Sequence, residues 1–484
     1  MSELSLAYIM PALPEIFLAL ASMALLICGV LMGNRQTFTL GWLTVITLAV
    51  AGLLVLGLDW TRTVTFNGLF VIDGFTAYVK MFVILGLIAS LAMSIRYLYQ
   101  EQMARFEYPV LVMLAGLGMM IMISSNHMLT LYLGLELQSL ALYVLAAIRR
   151  NHARAAEAGI KYFILGALAS GMLLFGMSLV YGFGGALGFE AIAAHLDGLE
   201  SVPAGLVVGL VFILVGMAFK ISAVPFHMWT PDVYQGAPTS VTALFAIVPK
   251  LAGMAILIRL LFEPFGALTA DWQQIIWVLA AGSMIVGAFA GLVQGNIKRL
   301  LAYSSIGNMG YALIGVVAAT QSAIGATLVY MIIYMVMTAG AFAALLMLRR
   351  DGRGISDIAD FSGLSKTNPV LAYALAAIMF SMSGIPPLAG FFGKFLIFQA
   401  AVASGFYVLA VIGVLTSVVA AYYYLKIIKV MFFDEPQESC DKIAAFSKRI
   451  VLLCAILFIM LFIFWPDVLI ETSVAAASSL FVAG

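Results

Sequence analysis

Residues 211–256 read VFILVGMAFKISAVPFHMWTPDVYQGAPTSVTALFAIVPKLAGMAI and place Lys220 and Lys250 in two long apolar runs that meet at a break. An ammonium group near the centre of a bilayer costs at least ~2.5–3.5 kcal/mol on insertion scales, so a buried lysine indicates a functional site. Lys250 has eleven residues on either side within the apolar run 239–261. At about 1.5 Å per residue its depth is roughly 16 Å, which a lysine stem does not easily bridge. The stretch predicts a charged site inside a membrane.

The break itself is rich in residues that interrupt helices. Pro225 follows Lys220 by five residues, and His227, Asp232 and two further prolines follow within the next thirteen. Non-helical backbone at membrane depth is tolerated only where it is buried in protein or lines a wet cavity. A broken helix beside a buried charge indicates a transport site. We therefore expect Pro225, His227 and Asp232 to support the site, and the alternative is a kink that only packs.

Composition makes this chain a polytopic membrane protein. Of its 484 residues, 64% are hydrophobic and 10% are charged, which lies outside the range of soluble globular proteins. The formal net charge of +1 gives no indication of nucleic-acid binding. The first basic residue is Arg35, so the N-terminus lacks the positive region of a cleaved signal peptide, and we expect the first apolar run to remain as a helix.

The sequence predicts no cofactor bound to this chain. The three cysteines have no metal-ligand spacing and stand at positions 28, 440 and 454, which argues against disulfides, zinc and iron–sulfur clusters. The four histidines mostly fall in predicted loops or at span ends, where no pair is placed to ligate haem. The glycine-rich stretch 182–188 lacks the lysine and flanking strand of a phosphate loop, so ATP binding is not expected.

Apolar runs of about 20 residues predict an all-α fold with about fourteen transmembrane helices. With the N-terminus outside, seventeen basic residues fall in inside loops or at inside helix ends, and the outside receives only Arg62 and Arg259. This distribution satisfies the positive-inside rule and predicts both termini outside. Segment 59–72 predicts a short extramembrane hairpin, and loops 184–202 and 349–366 predict surface helices.

A repeat divides the chain. Ser222-Ala-Val-Pro225 in the seventh span is echoed by Ser383-Gly-Ile-Pro386 in the twelfth, at an offset of 161 residues. Each unit has five helices, and because five is odd the second unit enters the membrane from the opposite side, as in inverted-repeat transporters. The predicted divisions are an N-terminal three-helix scaffold (1–100), a first five-helix repeat (108–262), a second inverted repeat (270–433) and a C-terminal helix (447–484).

Further charges lie inside the spans. The second unit has its own break at Pro386-Pro387, followed by Lys394. Glu136 lies about eight residues into the fifth span, roughly 12 Å deep. Lys161 lies only about five residues into the sixth span, so its position leaves snorkelling and function equally open. Lys80 is as shallow and is expected to snorkel, so we leave it out of the site.

Four membrane lysines therefore face one membrane carboxylate. They cannot all be paired and charged, so either water reaches them or burial makes some of them give up a proton. Groups that exchange protons near neutral pH can carry them.

These residues carry a resemblance to a known family. LGLEL, GIKY, FKISAVPFHMWTPDVYQGAP, IVPKLAG, NIKRLLAYSSIGNMGY and SGIPPLAGFFGKF together resemble the antiporter-like membrane subunits of respiratory complex I, over nearly the whole chain. TPDVYQGAP with a lysine in the twelfth span is most similar to the subunit N branch, which includes mitochondrial subunit 2. Relatives often have a histidine where this chain has Asn308, which puts a relay at that position in doubt. We expect no long C-terminal lateral helix, which separates this chain from the most distal antiporter-like subunit.

The resemblance implies a function and site roles. Glu136 and Lys220 would form an input pair, Lys161 and Lys250 would relay protons, and Lys394 would be the exit lysine. The implied partners are other membrane-arm subunits of complex I, the lipid bilayer of a bacterial inner membrane and protons. NADH, FMN, iron–sulfur clusters and quinone would be bound by other subunits. A sodium/proton antiporter subunit of the same fold is the alternative, and a purely structural scaffold is disfavoured by the buried lysines.

Glu136 and Lys220 lie on different helices of one unit at comparable depth, and each would be costly alone in a low dielectric. The sequence therefore predicts that the two side chains meet and form a gate, and the alternative is that Glu136 bonds a neighbouring hydroxyl and only holds helices together.

Overall fold

The computed structural model describes residues 6–436, 440–441 and 446–481. Within this part of the chain, twelve helices are long and apolar enough to cross a membrane. Three shorter apolar helices complete the set: Glu107–Ile123, and the pair Pro369–Ser383 and Ala389–Ala403, which flank the second break. Counted as one span, that pair brings the total to the fourteen expected, and the all-α polytopic fold is confirmed.

The helix and strand bounds follow chain order. The α-helices are α1 (Leu6–Ile9), α2 (Leu13–Met32), α3 (Thr37–Leu56), α4 (Gly74–Gln100), α5 (Glu107–Ile123), α6 (Met128–Ala146), α7 (Ala153–Gly184), α8 (Phe189–Asp197), α9 (Ala204–Ile221), α10 (Trp229–Gly236), α11 (Thr239–Ile247), α12 (Pro249–Phe262), α13 (Thr269–Leu292), α14 (Ile297–Ala318), α15 (Gln321–Leu345), α16 (Leu364–Thr367), α17 (Pro369–Ser383), α18 (Ala389–Ala403), α19 (Tyr407–Phe433), α20 (Phe446–Leu461) and α21 (Pro466–Ser478). Short 3₁₀ helices cover Met10–Ala12, Asn34–Gln36, Gly266–Leu268, Ile358–Phe361 and Phe462–Phe464. Strands β1 (Thr63–Thr65) and β2 (Phe70–Ile72) pair antiparallel, as do β3 (Arg349–Arg350) and β4 (Arg353–Gly354).

The middle of the bundle contains α12, which carries Lys250, together with α11, α14 and α15. The span formed by α11 and α12 is wholly buried, and α14 and α15 are nearly so. In contrast, α2, α3 and α19 expose many large apolar side chains, as expected of surfaces that face lipid. Most loops that carry the predicted inside basic residues lie at one end of the bundle, which we term the basic face. The β1–β2 hairpin and α8 belong to the opposite face.

Glycines bring the first two helices of each predicted unit into backbone contact. A Cβ on Gly118 of α5 would lie 2.5 Å from the Gln138 nitrogen of α6, and one on Gly134 would lie 2.7 Å from the Met122 nitrogen. Between α13 and α14, a Cβ on Gly287 would lie 2.5 Å from the nitrogen of Gly307. No side chain fits in these contacts, so the paired backbones pack directly against each other.

Both predicted breaks begin with a left-handed residue. Helix α9 ends at Ile221 and is capped by Ser222 at φ 63°, whereas α17 ends at Ser383 and is capped by Gly384 at φ 87°. The Val224–Pro225 and Pro386–Pro387 peptide bonds that follow are both cis. The caps lie 162 residues apart, one more than the sequence echo predicts, because helix α17 continues through Ser383. The division into two five-helix units stays a prediction.

The structure has interruptions that the sequence reading missed. The eighth span divides into α11 and α12 at Val248, directly before Pro249, because proline has no backbone N–H to donate within a helix. The expected single C-terminal helix is two helices, α20 and α21, with Pro466 opening the second.

Two of the three segments expected outside the membrane have the predicted structure, and the third does not. Loop 184–202 contains the expected surface helix, α8, and 59–72 contains the expected hairpin. Loop 349–366 contains the β3–β4 hairpin and short helical turns instead of a surface helix, since Asp351 and Gly352 adopt positive φ and turn the chain.

A buried ionic cluster fixes the end of α12 at the face opposite the basic one. The Arg259 guanidinium is completely buried and lies 2.6 Å from Asp73 and 2.6 Å from Glu263. Arg62 of the hairpin segment lies 2.8 Å from the same Glu263. Asp73 also accepts a hydrogen bond from the Thr76 N–H and caps α4. The cluster therefore ties α12, which carries Lys250, to α4 and to the hairpin segment.

Candidate functional site

Lys250 neutralises the end of the broken seventh span. Its side chain is 1% exposed, and its Nζ donates a hydrogen bond of 2.9 Å to the carbonyl of Ile221, the last residue of α9. The ammonium lies 5.7 Å from the centre of the Trp229 ring. The last carbonyls of a helix lack intrahelical partners and carry partial negative charge, so a cation is favoured there. The break thus creates an acceptor site within the protein interior, and the lysine from the next span occupies it.

Lys394 does the same at the second break. Its Nζ donates hydrogen bonds of 3.1 Å to the carbonyls of Met382 and Ser383, at the end of α17, and one of 2.8 Å to Ser417 Oγ. The ammonium also lies 5.2 Å from the centre of the Tyr311 ring. The side chain is 6% exposed. Pro386 and Pro387 lie in the turn between α17 and α18, so the break and the lysine form one local structure.

Lys220 does not contact Glu136, so the predicted direct pair is wrong. The Lys220 Nζ donates to Ser139 Oγ at 2.6 Å and lies 3.4 Å from the Tyr143 hydroxyl. Glu136 is partly buried, and its Oε1 has no hydrogen-bond partner in the described part of the chain. Ser139 stands three residues after Glu136 on α6 and therefore occupies the same helix face. Because Ser139 accepts the hydrogen bond from Lys220, the charges of Glu136 and Lys220 interact only at longer range.

Lys161 differs from these three lysines. Its side chain is 42% exposed, and its Nζ lies 2.7 Å from both Glu157 and Asp232. Asp232 also accepts a hydrogen bond of 2.6 Å from Arg299, so it links α7, α10 and α14. The Asp232 carboxylate thus faces two cations, the Lys161 ammonium and the Arg299 guanidinium. Asp232 therefore stays ionised and holds these helices together.

The remaining residues expected to support the site surround the first break. Pro225 lies in the turn between α9 and α10. His227 is partly buried beside the Pro225 backbone and lies within electrostatic range of Lys250. Trp229, which the sequence reading did not assign, donates from its indole nitrogen to the Phe219 carbonyl at 3.1 Å and holds α10 against the end of α9.

Hydroxyl and amide groups form a string between α14, α15 and α19. The Tyr330 hydroxyl donates to Asn308 Oδ1 at 2.5 Å, and Asn308 Nδ2 donates to the Ser304 carbonyl at 2.7 Å. Ser304 Oγ lies 2.5 Å from the Tyr424 hydroxyl. The sequence reading placed a relay at Asn308 in doubt, yet the structure sets this side chain in the middle of the string. Single hydroxyls in apolar spans have no recognisable spacing, and only the family motif around Asn308 pointed to this place.

Lys80 is fully buried and paired, so the expectation that it snorkels is wrong. Its side chain is 0% exposed, and its Nζ lies 2.6 Å from Glu15 Oε1. The partner stands 65 positions earlier, in the first span, where the sequence offers no local signal for the contact.

Two lysines assigned to inside loops are also buried. Lys298 donates to the Ala237 carbonyl at 2.8 Å, and Lys448 donates to the Leu346 carbonyl at 3.0 Å. The accepting carbonyls belong to Ala237 and Leu346, which are the C-cap residues of α10 and α15. Ammonium groups at helix ends are therefore a repeated device in this chain.

The described residues contain no group of three or more His, Cys, Asp or Glu side chains that could hold a metal ion. The three cysteines are free thiols.

Comparisons with known proteins identify the family and the fold. A family model described as NADH:quinone oxidoreductase/Mrp antiporter, TM, matches residues 125–420. The chain is 51% identical to NADH-quinone oxidoreductase subunit N of Paramagnetospirillum magneticum, over 98% of each chain. It is 50% identical to subunit N of Rhodospirillum rubrum, over 97% of each chain.

Solved structures show the same fold. A chain of respiratory complex I from Thermus thermophilus with bound Aureothin has a TM-score of 0.80 at 30% identity, covering 95% of this chain and 99% of that one. A chain of the Mrp complex from Dietzia sp. DQ12-45-1b has a TM-score of 0.86 at 23% identity, covering 98% of each, which is evidence for the fold alone. The chain therefore belongs to the subunit N family of NADH-quinone oxidoreductases, the antiporter-like membrane subunits of respiratory complex I.

Proposed function

We propose that this chain moves protons across the membrane through Glu136, Lys220, Lys250 and Lys394. The energy comes from redox chemistry in neighbouring subunits of the complex, and this chain holds no redox cofactor of its own. NADH, FMN, iron–sulfur clusters and quinone belong to those other subunits. Its direct partners are other membrane-arm subunits, lipid and protons.

One observation carries this proposal: three buried lysines have no counter-charge in contact. The ammonium groups of Lys220, Lys250 and Lys394 bind hydroxyls and backbone carbonyls, and among the described residues no carboxylate oxygen lies within 4.0 Å of them. An unpaired charge in a low dielectric is costly, so the protonated form is easily given up. Lys80 provides the contrast, because its partner Glu15 holds it as a fixed ion pair.

We propose that the string of hydroxyl groups connects the two breaks. Hydroxyl groups both donate and accept, so a row of them can pass a proton once water or side-chain rotation completes the gaps. Ser304, Asn308, Tyr330 and Tyr424 occupy the region between α14, α15 and α19. We propose that the proton passes from Lys250 to Lys394 along this string.

Lys161 has a different task in this scheme. It is paired with two carboxylates and partly exposed, so its charge is stable. Asp232 connects it to α10, the second half of the broken seventh span. We propose that the Lys161–Asp232 link transmits movement of α10 to α7.

Orientation follows from the charge distribution. The basic face gathers most of the arginines and lysines of the loops, and the positive-inside rule places such a face in the cytoplasm. We propose a bacterial inner-membrane location with both termini on the outer side.

Pumping and assembly should be measured for Glu136→Gln, Lys220→Ala and the double variant, in membranes that contain the whole complex. We expect each variant to assemble and to lose most proton transport at a normal amount of complex. Because the two side chains do not touch, we expect a coupling energy below that of a direct buried pair, about 1 kcal/mol rather than several. An assembled Lys220→Ala complex that pumps at the normal rate would refute the relay.

A sodium/proton antiporter subunit remains the second candidate function. The Mrp complex chain has the higher TM-score, but its 23% identity is less than half of the 51% identity to subunit N. Native mass spectrometry of the gently solubilised protein separates the two, because a complex I subunit arrives with redox-subunit partners and an Mrp subunit does not.

A further inference from the structure

A cavity of about 580 Å³ opens at the basic face between α5, α6 and α7. Its charged lining residues are Arg105, Glu107 and Arg150, and its walls are apolar side chains such as Leu111 and Ile160. The Glu107 Oε2 atom is buried without a hydrogen-bond partner in the described part of the chain. The cavity thus extends from a charged group of residues at one membrane surface to Tyr143, and some of its apolar walls, such as Ile160 and Phe163, are exposed.

The cavity reaches Tyr143, which contacts Lys220. Tyr143 lines the cavity, and its hydroxyl lies 3.4 Å from the Lys220 Nζ. Two described hydroxyl groups lie within hydrogen-bond distance of Lys220, those of Tyr143 and Ser139. The Ser139 hydroxyl donates its proton to the Leu135 carbonyl at 2.5 Å. In this arrangement Ser139 accepts from Lys220 while its own proton is directed at the Leu135 carbonyl. Tyr143 is the hydroxyl that can give a proton to the lysine without breaking that bond.

A glycine on the neighbouring helix makes room for this hydroxyl. A Cβ on Gly166 of α7 would collide with the Tyr143 hydroxyl oxygen and with the adjacent ring carbon. The Tyr143 ring is held on the same side by an edge contact to Tyr162, with ring centres 4.7 Å apart. By contrast, a Cβ on Gly171, five residues further along α7, would meet nothing within 4 Å.

We propose that this cavity is the inlet through which protons from the basic face reach Lys220, and that Tyr143, positioned by Gly166, makes the last transfer. This rests on the proposed function. A hydronium ion in the cavity gives a proton to the Tyr143 oxygen while the phenol gives its own proton to the neutral Lys220 amine. One water and one ammonium result, and the phenol is unchanged. Its hydroxyl then turns back to face the cavity.

The carboxylate of Glu107 has a place in this inlet. Its unpartnered oxygen attracts hydronium between two arginines that would otherwise repel it. Glu107 therefore concentrates protons at the cavity, and Tyr143 delivers them.

The test uses inverted membrane vesicles that hold the whole complex with the basic face outward, and it records proton uptake and NADH oxidation together. Tyr143→Phe keeps the ring but removes the hydroxyl, and Gly166→Ala displaces the hydroxyl. Loss of a positioned proton-transfer group slows the transfer by about 100-fold or more. We expect both variants to assemble with fewer protons moved per NADH oxidised. Gly171→Ala is the matched control and should behave as the unaltered protein.

Two further variants separate proton delivery from packing. Tyr143→His restores a side chain that can take and give a proton, so it should pump more than Tyr143→Phe, whereas a purely structural role predicts the reverse because Phe fits the site better. Ile160→Trp fills the cavity and should lower pumping, whereas Ile164→Trp, one turn along α7 and outside the lining, should not.

The outcomes distinguish this inlet from the relay itself. If Lys220→Ala stops pumping while Tyr143→Phe pumps normally, the inlet is wrong and the relay stands. If Lys220→Ala pumps normally, the relay is wrong. Should Gly166→Ala fail to assemble, Tyr143→Phe and the two tryptophan variants still decide the question.

Discussion

The two helix breaks reach the same arrangement by different routes. At the first, the carbonyl of Ile221 accepts from Lys250, which comes from the following span. At the second, the carbonyls of Met382 and Ser383 accept from Lys394, which comes from the half-helix after the break itself. The two lysines are 144 positions apart, whereas the two cap residues are 162 apart, so the lysines do not correspond under the repeat. Both units share a helix C-terminus whose last carbonyls lack helical partners. An ammonium group binds there in each unit, although it comes from a different segment of the chain.

The breaks also differ in how firmly they hold the lysine. Lys394 has two carbonyl acceptors and the Ser417 hydroxyl, whereas Lys250 has one carbonyl acceptor among the described residues. The cap differs too: the second break uses glycine at a left-handed position and the first uses Ser222. If Lys394 is the exit lysine, the proton is bound most firmly at the residue that releases it, because that ammonium has the larger number of acceptors.

The largest expected effect is the loss of pumping in Lys250→Met and in Lys394→Met. Methionine keeps the volume of the side chain but cannot carry a proton, so both variants should assemble and neither should pump. Each unsatisfied buried carbonyl costs about 1–3 kcal/mol, so Lys394→Met should be the less stable of the two. Proton uptake and thermal stability of the assembled complex check this, with exposed Lys429→Met as the control.

Normal pumping by either assembled variant would mean that the two breaks are not equivalent members of one path.

A smaller effect is expected from exchanging the cap residues. Gly384→Ala places a side chain at φ 87° and a Cβ 3.1 Å from the Lys394 Cδ, so the complex should lose about 1–2 kcal/mol of stability. Ser222→Gly relieves a left-handed serine but removes the hydrogen bond from Thr230 at 2.7 Å, and these terms of about 1 kcal/mol each nearly cancel. Thermal unfolding of the two purified complexes measures both.

Equal and opposite stability changes in Gly384→Ala and Ser222→Gly would show that the Thr230 bond contributes nothing at the first break.

The smallest effect is expected from Ser417→Ala. It removes one of the three acceptors of Lys394 and makes the second break resemble the first more closely. A hydrogen bond to a charged group contributes about 1.5–3 kcal/mol, and because two carbonyl acceptors still bind the ammonium we expect the lower end of that range and a change in pumping of about tenfold or less. The initial rate of proton uptake tests this, with Ser478→Ala as a control at an exposed helix end. A complete loss of pumping would assign Ser417 a direct part in proton transfer.

Hydropathy and proline placement predicted most of this fold because each acts locally. The membrane spans, the two breaks and the buried positions of Lys250 and Lys394 all follow from spacing along the chain. Pro249 gave the same kind of signal for the break between α11 and α12, but the apolar residues on both sides concealed it.

Contacts between distant segments were beyond the sequence. Nothing near Lys80 points to Glu15, and nothing near Glu136 shows that Ser139 would take Lys220 in its place. Lys298 and Lys448 looked like loop residues because each stands near the start of a helix, yet both are buried against the end of another helix. Partners across the bundle depend on packing angles, which hydropathy does not encode.

The glycine contacts between α5 and α6 and between α13 and α14 limit which helices can move when a force acts on the molecule. Backbones that interlock without side chains between them cannot slide, because any displacement along the axis brings Cα atoms into collision. Each pair of helices therefore resists sliding, and each predicted unit contains one such pair. When a neighbouring subunit exerts a force on this chain, we expect the short half-helices α10, α12 and α18 to move before either glycine pair does. We expect that movement to reach the residues that bind the buried lysines.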